Sequence, residues 1–129
     1  MLVPDHDLKK VKFESDDDED ISFHLGAFKD SQLVSVASFY YDRNTTFPEQ
    51  HQYQLRGMAT LPEFQGQGLS SALLRTAFPV IKSNQGSLIW CNAREKAIGF
   101  YTKVGFAPTG DVFTIPNIGK HILMSMKID

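Results

Sequence analysis

Residues 55–74 read LRGMATLPEFQGQGLSSALL, and the rest of the chain is arranged around this stretch. Its first part belongs to a strand pattern over residues 53–61, which Pro62 stops. Its last part, from Leu69 onward, has apolar residues at helical spacing. Between the two lies the segment Gln65-Gly66-Gln67-Gly68. The stretch therefore predicts a strand, a tight turn and the N-terminus of a helix.

Such a turn favours an anionic ligand. Glycine lets the backbone turn sharply and approach a ligand without a Cβ in the way. The first four N–H groups of a helix have no intrahelical partner, and together with the helix dipole they attract phosphate. Ser70 and Ser71 lie in the first helical turn and can add hydroxyl donors. A plain strand–turn–helix connection without a ligand is the alternative.

The segment Gln65-Gly66-Gln67-Gly68-Leu69-Ser70 resembles a known signature. It is similar to the Gln/Arg-x-x-Gly-x-Gly/Ala motif with which GNAT-superfamily acyltransferases hold the pyrophosphate of acyl-coenzyme A, and residues 58–64 look like that family's fourth strand and its link into the motif. Ser70 departs from the final Gly/Ala position, although serine is also small. Two other phosphate-binding motifs fit this segment less well. A P-loop would need Lys-Ser/Thr after the glycines, and the Gly-x-Gly-x-x-Gly dinucleotide motif would need a glycine where this chain has Ser71.

A second block strengthens the resemblance. Residues 97–106, AIGFYTKVGF, look like the Phe-Tyr-x-x-x-Gly-Phe block of the same superfamily. They follow a strand pattern and come about thirty residues after the glycine turn. The chain is identified as a member of the GNAT superfamily over roughly residues 21–128.

The resemblance implies roles for particular residues. The strand backbone around Met58 and Thr60 would meet the acyl group and the pantetheine arm, and the amides of the turn would cradle the pyrophosphate. Tyr101 matches the tyrosine that protonates the departing thiolate of coenzyme A; a phenol with an ordinary pKa near 10 can donate at pH 7. The alternative for Tyr101 is an aromatic residue that only packs. The implied cofactor-binding residues are Met58, Ala59, Thr60, Gln65, Gly66, Gln67, Gly68, Leu69, Ser70, Ser71, Asn92 and Arg94.

Arg94 and Asn92 belong to this set for a different reason. The family commonly has an asparagine seven residues before the tyrosine, and that position is Arg94 in this chain. Arginine could bind a phosphate of the cofactor or be exposed. Asn92, at the predicted end of a strand, is a substitute candidate.

The implied reaction is direct transfer of an acetyl group from acetyl-CoA to a neutral amine in a ternary complex. Proximity and backbone donors near Met58 would accelerate it. Cys91 could suggest a nucleophile, but it lies in an apolar strand and is interpreted as a structural thiol. The base that removes the amine proton is open among four side chains or a water chain. These side chains are His51, Glu49, Glu63 and Glu95.

The remaining patterns predict an α/β fold with a mixed, mostly antiparallel sheet flanked by helices. A hairpin is predicted over residues 21–42, a helix from Leu69 to about Ser83 that Pro79 ends early or kinks, a buried strand over residues 87–92, a helix over residues 94–104, and a last, antiparallel pair of strands over residues 106–115 and 121–128. Residues 1–20 are polar and irregular. We therefore expect one domain over residues 1–129 with a shortened N-terminal helical region.

Composition narrows the class of protein. The chain has 129 residues, 42% of them hydrophobic, and a formal net charge of −2, so no overall field favours nucleic acid or membrane. Six of the fifteen acids lie in residues 14–20, and the run over residues 15–20 is predicted to be a solvated loop rather than a metal site. A single cysteine, no apolar run of membrane-spanning length and no signal-peptide core are typical of a cytoplasmic protein.

Three functions are compatible with these features. The first is an N-acetyltransferase for an amine of a small molecule or peptide, with acetyl-CoA as cosubstrate. The second is an acyl-CoA-binding module without turnover, and the third is a non-enzymatic interaction domain on the same fold. The short N-terminal segment predicts an acceptor site that is open or completed by another subunit, as in a homodimer. The acidic loop could attract a cationic amine such as a polyamine or lysine.

Overall fold

One sheet organises the part of the chain that this computed structural model describes, residues 7–11 and 21–128. Within it seven strands form the sheet: β1 (Asp7–Val11), β2 (Phe23–Lys29), β3 (Gln32–Tyr41), β4 (Gln52–Thr60), β5 (Leu88–Arg94), β6 (Ala107–Ile115) and β7 (Gly119–Lys127). The helices are α1 (Leu69–Ser83) and α2 (Ile98–Val104), each preceded by a short 3₁₀ turn, at Pro62–Phe64 and at Glu95–Ala97.

The strand order is β1-β2-β3-β4-β5-β7-β6. Every neighbouring pair is antiparallel except β4 and β5, which are parallel and are joined through α1. The expected mixed, mostly antiparallel sheet with flanking helices is confirmed, as is the antiparallel pairing of the last two strands. A parallel pair needs a long crossover connection, and α1 supplies it.

The parallel pair separates soon after it begins. β4 and β5 pair at only three positions, Gln52 with Leu88, Tyr53 with Ile89 and Gln54 with Trp90. On its other side β4 carries a bulge, because the three steps from Arg56 to Ala59 face only two steps of β3, from Ser38 to Val36. Gly57 lies in this bulge with φ +64°, a left-handed conformation that glycine adopts readily. The carboxyl-terminal halves of β4 and β5 are thus free to form the walls of a cleft.

The main core lies between the sheet and the two helices. Alternate residues of β4 and β5, including Tyr53, Leu55, Ile89 and Cys91, join buried residues of α1 in one cluster. Leu88 and Trp90 form a second cluster with Phe47 and, less buried, Leu123. Because successive side chains of a strand point to opposite faces, the second cluster lies on the face of the sheet away from α1.

The prediction that residues 1–20 are irregular is wrong for Asp7–Val11, which pairs with β2 as an edge strand. Only Leu8 and Val11 are apolar in this strand, so its pattern is weak; backbone pairing with β2 forms it instead. Lys9 and Lys10 lie over the rings of Phe28 and Phe23, at 4.5 and 5.5 Å. The predicted acidic loop, residues 15–20, lies outside the described residues.

Two predictions about helices need correction. The predicted end of α1 near Ser83 is confirmed, whereas the early end, one of the two alternatives for Pro79, is wrong, because the helix continues through Pro79 to the Asn84 cap. The predicted helix over residues 94–104 begins too soon, because Arg94 ends β5, a 3₁₀ turn follows, and the α-helix starts only at Ile98. Ile98, Phe100, Tyr101 and Val104 of this helix pack against the core.

Candidate active site

The glycine turn before α1 presents bare backbone. Gly66 and Gly68 have φ values of +78° and +79°, and a Cβ added to either would meet no atom within 4 Å. Gly68 is the N-cap of α1, and no side chain caps the helix there. The orphan amides of the first turn are therefore available to an anion.

Side chains hold this turn in place. Gln65 Nε2 donates to the carbonyl oxygen of Thr60 at 3.1 Å, and Gln67 Nε2 donates to that of Glu63 at 3.5 Å. Ser70 Oγ lies 3.3 Å from Thr60 Oγ1, which lies 2.7 Å from Ser35 Oγ. Serine at the position where the family signature has Gly or Ala thus ties α1 to the end of β4.

A cavity of about 800 Å³, here named the α1 cavity, opens against this turn. All but two of the predicted cofactor-binding residues line it; Gln67 and Asn92 do not. Its lining residues are Met58, Ala59, Thr60, Phe64, Gln65, Gly66, Gly68, Leu69, Ser70, Ser71, Arg94, Lys96, Ala97, Phe100 and Tyr101.

A second cavity of about 670 Å³, here named the β7 cavity, shares a wall with the first. Six residues line both: Met58, Ala59, Arg94, Lys96, Ala97 and Tyr101. The others around the β7 cavity are Gln54, Leu55, Arg56, Gly57, Cys91, Asn92, Ile115, Ile118 and His121. The two cavities form one cleft where β4 and β5 separate, and Asn92 lies on its β7 side, away from the glycine turn.

Tyr101 lies at the junction of the two cavities. Its ring packs on Phe100 and Phe106, with centroids 5.2 and 5.3 Å away. Burial, and to a lesser degree the neighbouring Cys91, raises the pKa of the phenol well above its ordinary value of 10.0. The hydroxyl group therefore stays protonated at neutral pH and can donate.

Cys91 lies on β5 beside the same cleft and is 2% exposed. Burial raises the pKa of its thiol to about 12. The thiolate is the nucleophilic form, and it is absent at neutral pH at this pKa.

None of the four side chains considered as the base lines either cavity. His51 directly precedes β4, at the end of the strand where β4 and β5 are still paired, and its Nδ1 lies 2.5 Å from the hydroxyl oxygen of Tyr41. Glu63 lies in the 3₁₀ turn before α1. Glu95 borders a smaller neighbouring pocket with Arg94 and Lys120.

Sequence reasoning missed His121, the histidine that does line the cleft. Its side chain is almost fully buried, and its Nδ1 lies 2.8 Å from the carbonyl oxygen of Gly119. Since a carbonyl can only accept, Nδ1 carries a hydrogen, and of the two tautomers of an uncharged imidazole this hydrogen bond selects the one with its lone pair on Nε2. The register that places His121 opposite Arg94 is invisible in the sequence.

The glycine turn and the diverging strands leave room for coenzyme A, and the comparison with known families gives the class of the protein: it is an acetyltransferase that uses acetyl-CoA. The chain belongs to the Acetyltransferase (GNAT) family, whose sequence profile matches residues 2–106. It is 39% identical over 124 residues to the Uncharacterized N-acetyltransferase YitI of Bacillus subtilis (strain 168). This match covers 96% of this chain and 83% of that protein.

Two solved structures illustrate the shared fold. IAA acetyltransferase from Bacillus cereus ATCC 14579 matches with a TM-score of 0.72 and 14% identity over 95% of this chain and 99% of that one. Aminoglycoside 6'-N-acetyltransferase complexed with coenzyme A matches with a TM-score of 0.70 and 15% identity over 84% of this chain and 73% of that one. At these identities the likeness concerns the fold alone.

Among the described residues, no helix combines the length and the apolar character needed to cross a bilayer.

Proposed function

We propose that this protein is an N-acetyltransferase that moves the acetyl group of acetyl-CoA to a primary amine of a small molecule or peptide by direct attack in a ternary complex. The observation that carries the proposal is the position of Tyr101 and Met58 in the wall shared by the α1 and β7 cavities. A group held there can be approached from the turn on one side and from the β7 cavity on the other.

The α1 cavity suits coenzyme A. The two left-handed glycines at its rim leave space where a side chain would stand, and the helix amides beside them favour a diphosphate. Acetyl-CoA supplies the activated thioester. In this arrangement the turn from Gln65 to Ser70 holds the diphosphate, with Ser71 beside it, while the β4 backbone from Met58 to Thr60 and the side chain of Arg94 hold the rest of the molecule.

The cleft can then perform the transfer. The amine nitrogen forms a bond to the acetyl carbon, the carbon–sulfur bond breaks, the nitrogen loses one proton and the sulfur gains one. Tyr101 donates its hydroxyl hydrogen to the departing sulfur, and the phenol is restored by exchange with solvent. Backbone donors near the bulge at Gly57 would stabilise the oxyanion that forms on the acetyl carbonyl.

Direct attack is favoured over an acetyl-enzyme because Cys91, the thiol beside the cleft, is protonated at neutral pH. We assign the base to His121. Its Nδ1 hydrogen bond to Gly119 fixes the tautomer in which Nε2 can accept a proton, and the ring borders the β7 cavity, where the amine enters. Asn92 lies in the same cavity and is available to orient the amine.

The cellular setting is also a proposal. A lone, buried cysteine that makes no disulfide suits a reducing compartment such as the cytoplasm. We expect no nucleic-acid or membrane partner, and a second subunit could complete the open β7 side of the cleft.

Release of free coenzyme A thiol tests the proposal. The purified protein is incubated with acetyl-CoA and a panel of primary amines, and each product is identified by mass spectrometry. Amine-dependent thiol release with one acetyl group on the amine is expected. Tight binding of acetyl-CoA without turnover of any amine would instead indicate a binding module.

A further inference from the structure

The charges around the β7 cavity define the acceptor more closely. We propose that the amine acetylated by this protein carries an anionic group, a carboxylate or a phosphate-type group, that binds to the guanidinium of Arg56. This inference rests on the proposed function and names the substrate class of the same site.

Strand alternation directs the polar side chains to one side of the sheet. Tyr53 and Leu55 of β4 and Ile89 and Cys91 of β5 belong to the core under α1. Their neighbours along each strand therefore point to the opposite face. On that face the β7 cavity is lined by Gln54, Arg56, Asn92, Arg94 and His121.

The charged residues of this wall all have the same sign. Arg56, Arg94 and Lys96 line the β7 cavity, and none of its described lining residues is Asp or Glu. Glu95, the nearest acid in sequence, borders the neighbouring pocket instead, where Lys120 accompanies it. A cavity lined with cations and without a carboxylate attracts anions.

Arg56 separates the acceptor from acetyl-CoA. Arg94 and Lys96 line both cavities and can serve either ligand, whereas Arg56 lines only the β7 cavity. Its guanidinium group lies 5.4 Å from the centroid of the Tyr40 ring, and this cation–π contact helps to fix the position of the guanidinium group. A guanidinium group binds a carboxylate or phosphate through two parallel hydrogen bonds.

The same charges affect the amine. Neighbouring cations disfavour a further positive charge, so they favour the neutral amine, which is the nucleophile. They also oppose polyamines and other acceptors with several ammonium groups. The cationic-amine hypothesis, which depended on the acidic loop, therefore finds no support in the described wall of the cavity.

Matched amine pairs test the proposal. The carboxylate pair is 4-aminobutanoate and butylamine; the phosphonate pair is 2-aminoethylphosphonate and ethylamine; putrescine represents polyamines. kcat/KM is measured for each at several pH values, so that members of a pair are compared at equal concentrations of neutral amine. Binding of each anionic amine to the protein with coenzyme A is measured by calorimetry as a readout that does not depend on turnover.

We expect one anionic member to exceed its uncharged partner in kcat/KM by about tenfold or more, as for a hydrogen bond to a charged group. The pair that shows the preference identifies the anion as carboxylate or phosphate. Arg56→Gln should remove that preference and the calorimetric binding while the Kd of acetyl-CoA stays unchanged. Arg75→Gln is the matched control, because Arg75 lies exposed on α1 and borders neither cavity.

Equal kcat/KM within both pairs, better turnover of putrescine, or an unchanged preference in Arg56→Gln would overturn the inference and leave the acetyltransferase intact. Absence of turnover with every amine, together with absence of acetyl-CoA binding, would instead contradict the proposed function itself.

Discussion

Tyr101 is half-buried in the wall shared by the two cavities, with its phenol held between Phe100 and Phe106. If its hydroxyl donates to the departing sulfur, Tyr101→Phe keeps the packing and removes only the donor. We expect kcat to fall about 10²-fold or more while the Kd of acetyl-CoA barely changes. Rapid-quench or steady-state thiol release measures the first quantity and calorimetry the second. An unchanged kcat would remove Tyr101 from the chemistry.

His121 offers a second substitution that separates packing from chemistry. In His121→Asn the amide nitrogen can still donate to the carbonyl of Gly119, as Nδ1 does now, but no group replaces Nε2. We expect kcat to fall by about 10²-fold, with little change in acetyl-CoA affinity. His121→Gln, whose amide reaches the Nε2 position without being basic, should be equally slow. Full activity in both variants would show that water, and not His121, removes the proton of the amine.

The α1 N-terminus can be tested with a matched pair of glycines. Gly68 and Gly110 have the same φ, +79°, and a Cβ at either meets nothing within 4 Å. Each substitution by Ala should cost about 1–2 kcal/mol of backbone strain. Of these two glycines, Gly68 lines the cleft and Gly110 does not, so Gly68→Ala should also weaken acetyl-CoA binding and Gly110→Ala should not. Urea unfolding measures the strain and calorimetry the affinity; equal affinities in the two variants would show that the turn does not contact the ligand.

Elements with strong local signals were predicted well. The start of α1 at Leu69, the hairpin of β2 and β3 and the antiparallel last pair follow from periodicity and from the polar or glycine-containing turns between the elements. β1 was missed because two apolar residues in five carry little pattern, and backbone pairing with β2 stabilises it. The start of α2 was placed too early because β5 extends through Arg94 by pairing with β7, a contact distant in sequence.

The candidate site divides in the same way. The residues of the glycine turn and Tyr101 could be named from the sequence, because their spacing is local and resembles a family signature. His121 and Arg56 could not, since they reach one cavity only through the order of β4, β5 and β7 and through strand alternation. Neither residue stands in a motif of its own.

Two weakly acidic groups beside the cleft, the thiol of Cys91 and the phenol of Tyr101, should make the folded protein less stable at alkaline pH. The pKa of Cys91 rises from 9.0 to about 12, and that of Tyr101 also rises above its ordinary value. Both neutral forms are favoured by folding, so this contribution is complete below pH 9, where the unfolded thiol begins to ionise, and is lost as the pH rises toward 12. Each group can change the slope of the free energy of unfolding against pH by up to about 1.4 kcal/mol per pH unit.

The comparison is between the wild type and the double variant Cys91→Ala/Tyr101→Phe. The free energy of unfolding is measured by urea titration at half-unit steps from pH 8 upward. We expect the wild type to lose stability more steeply than the double variant above pH 9. Parallel curves would show that these two groups ionise in the folded protein as they do in the unfolded chain.

The central claim is that the cleft between β4 and β5 holds acetyl-CoA, and thermal unfolding of the purified protein against rising acetyl-CoA tests it most directly. At a hundred times Kd, binding to the folded state adds about 2.7 kcal/mol. For a chain of this length that raises Tm by several degrees. We predict a rise in Tm that continues with the logarithm of the acetyl-CoA concentration above Kd, and that is retained in Gly110→Ala and reduced in Gly68→Ala. A folded protein whose Tm does not respond to acetyl-CoA at any concentration would contradict the claim.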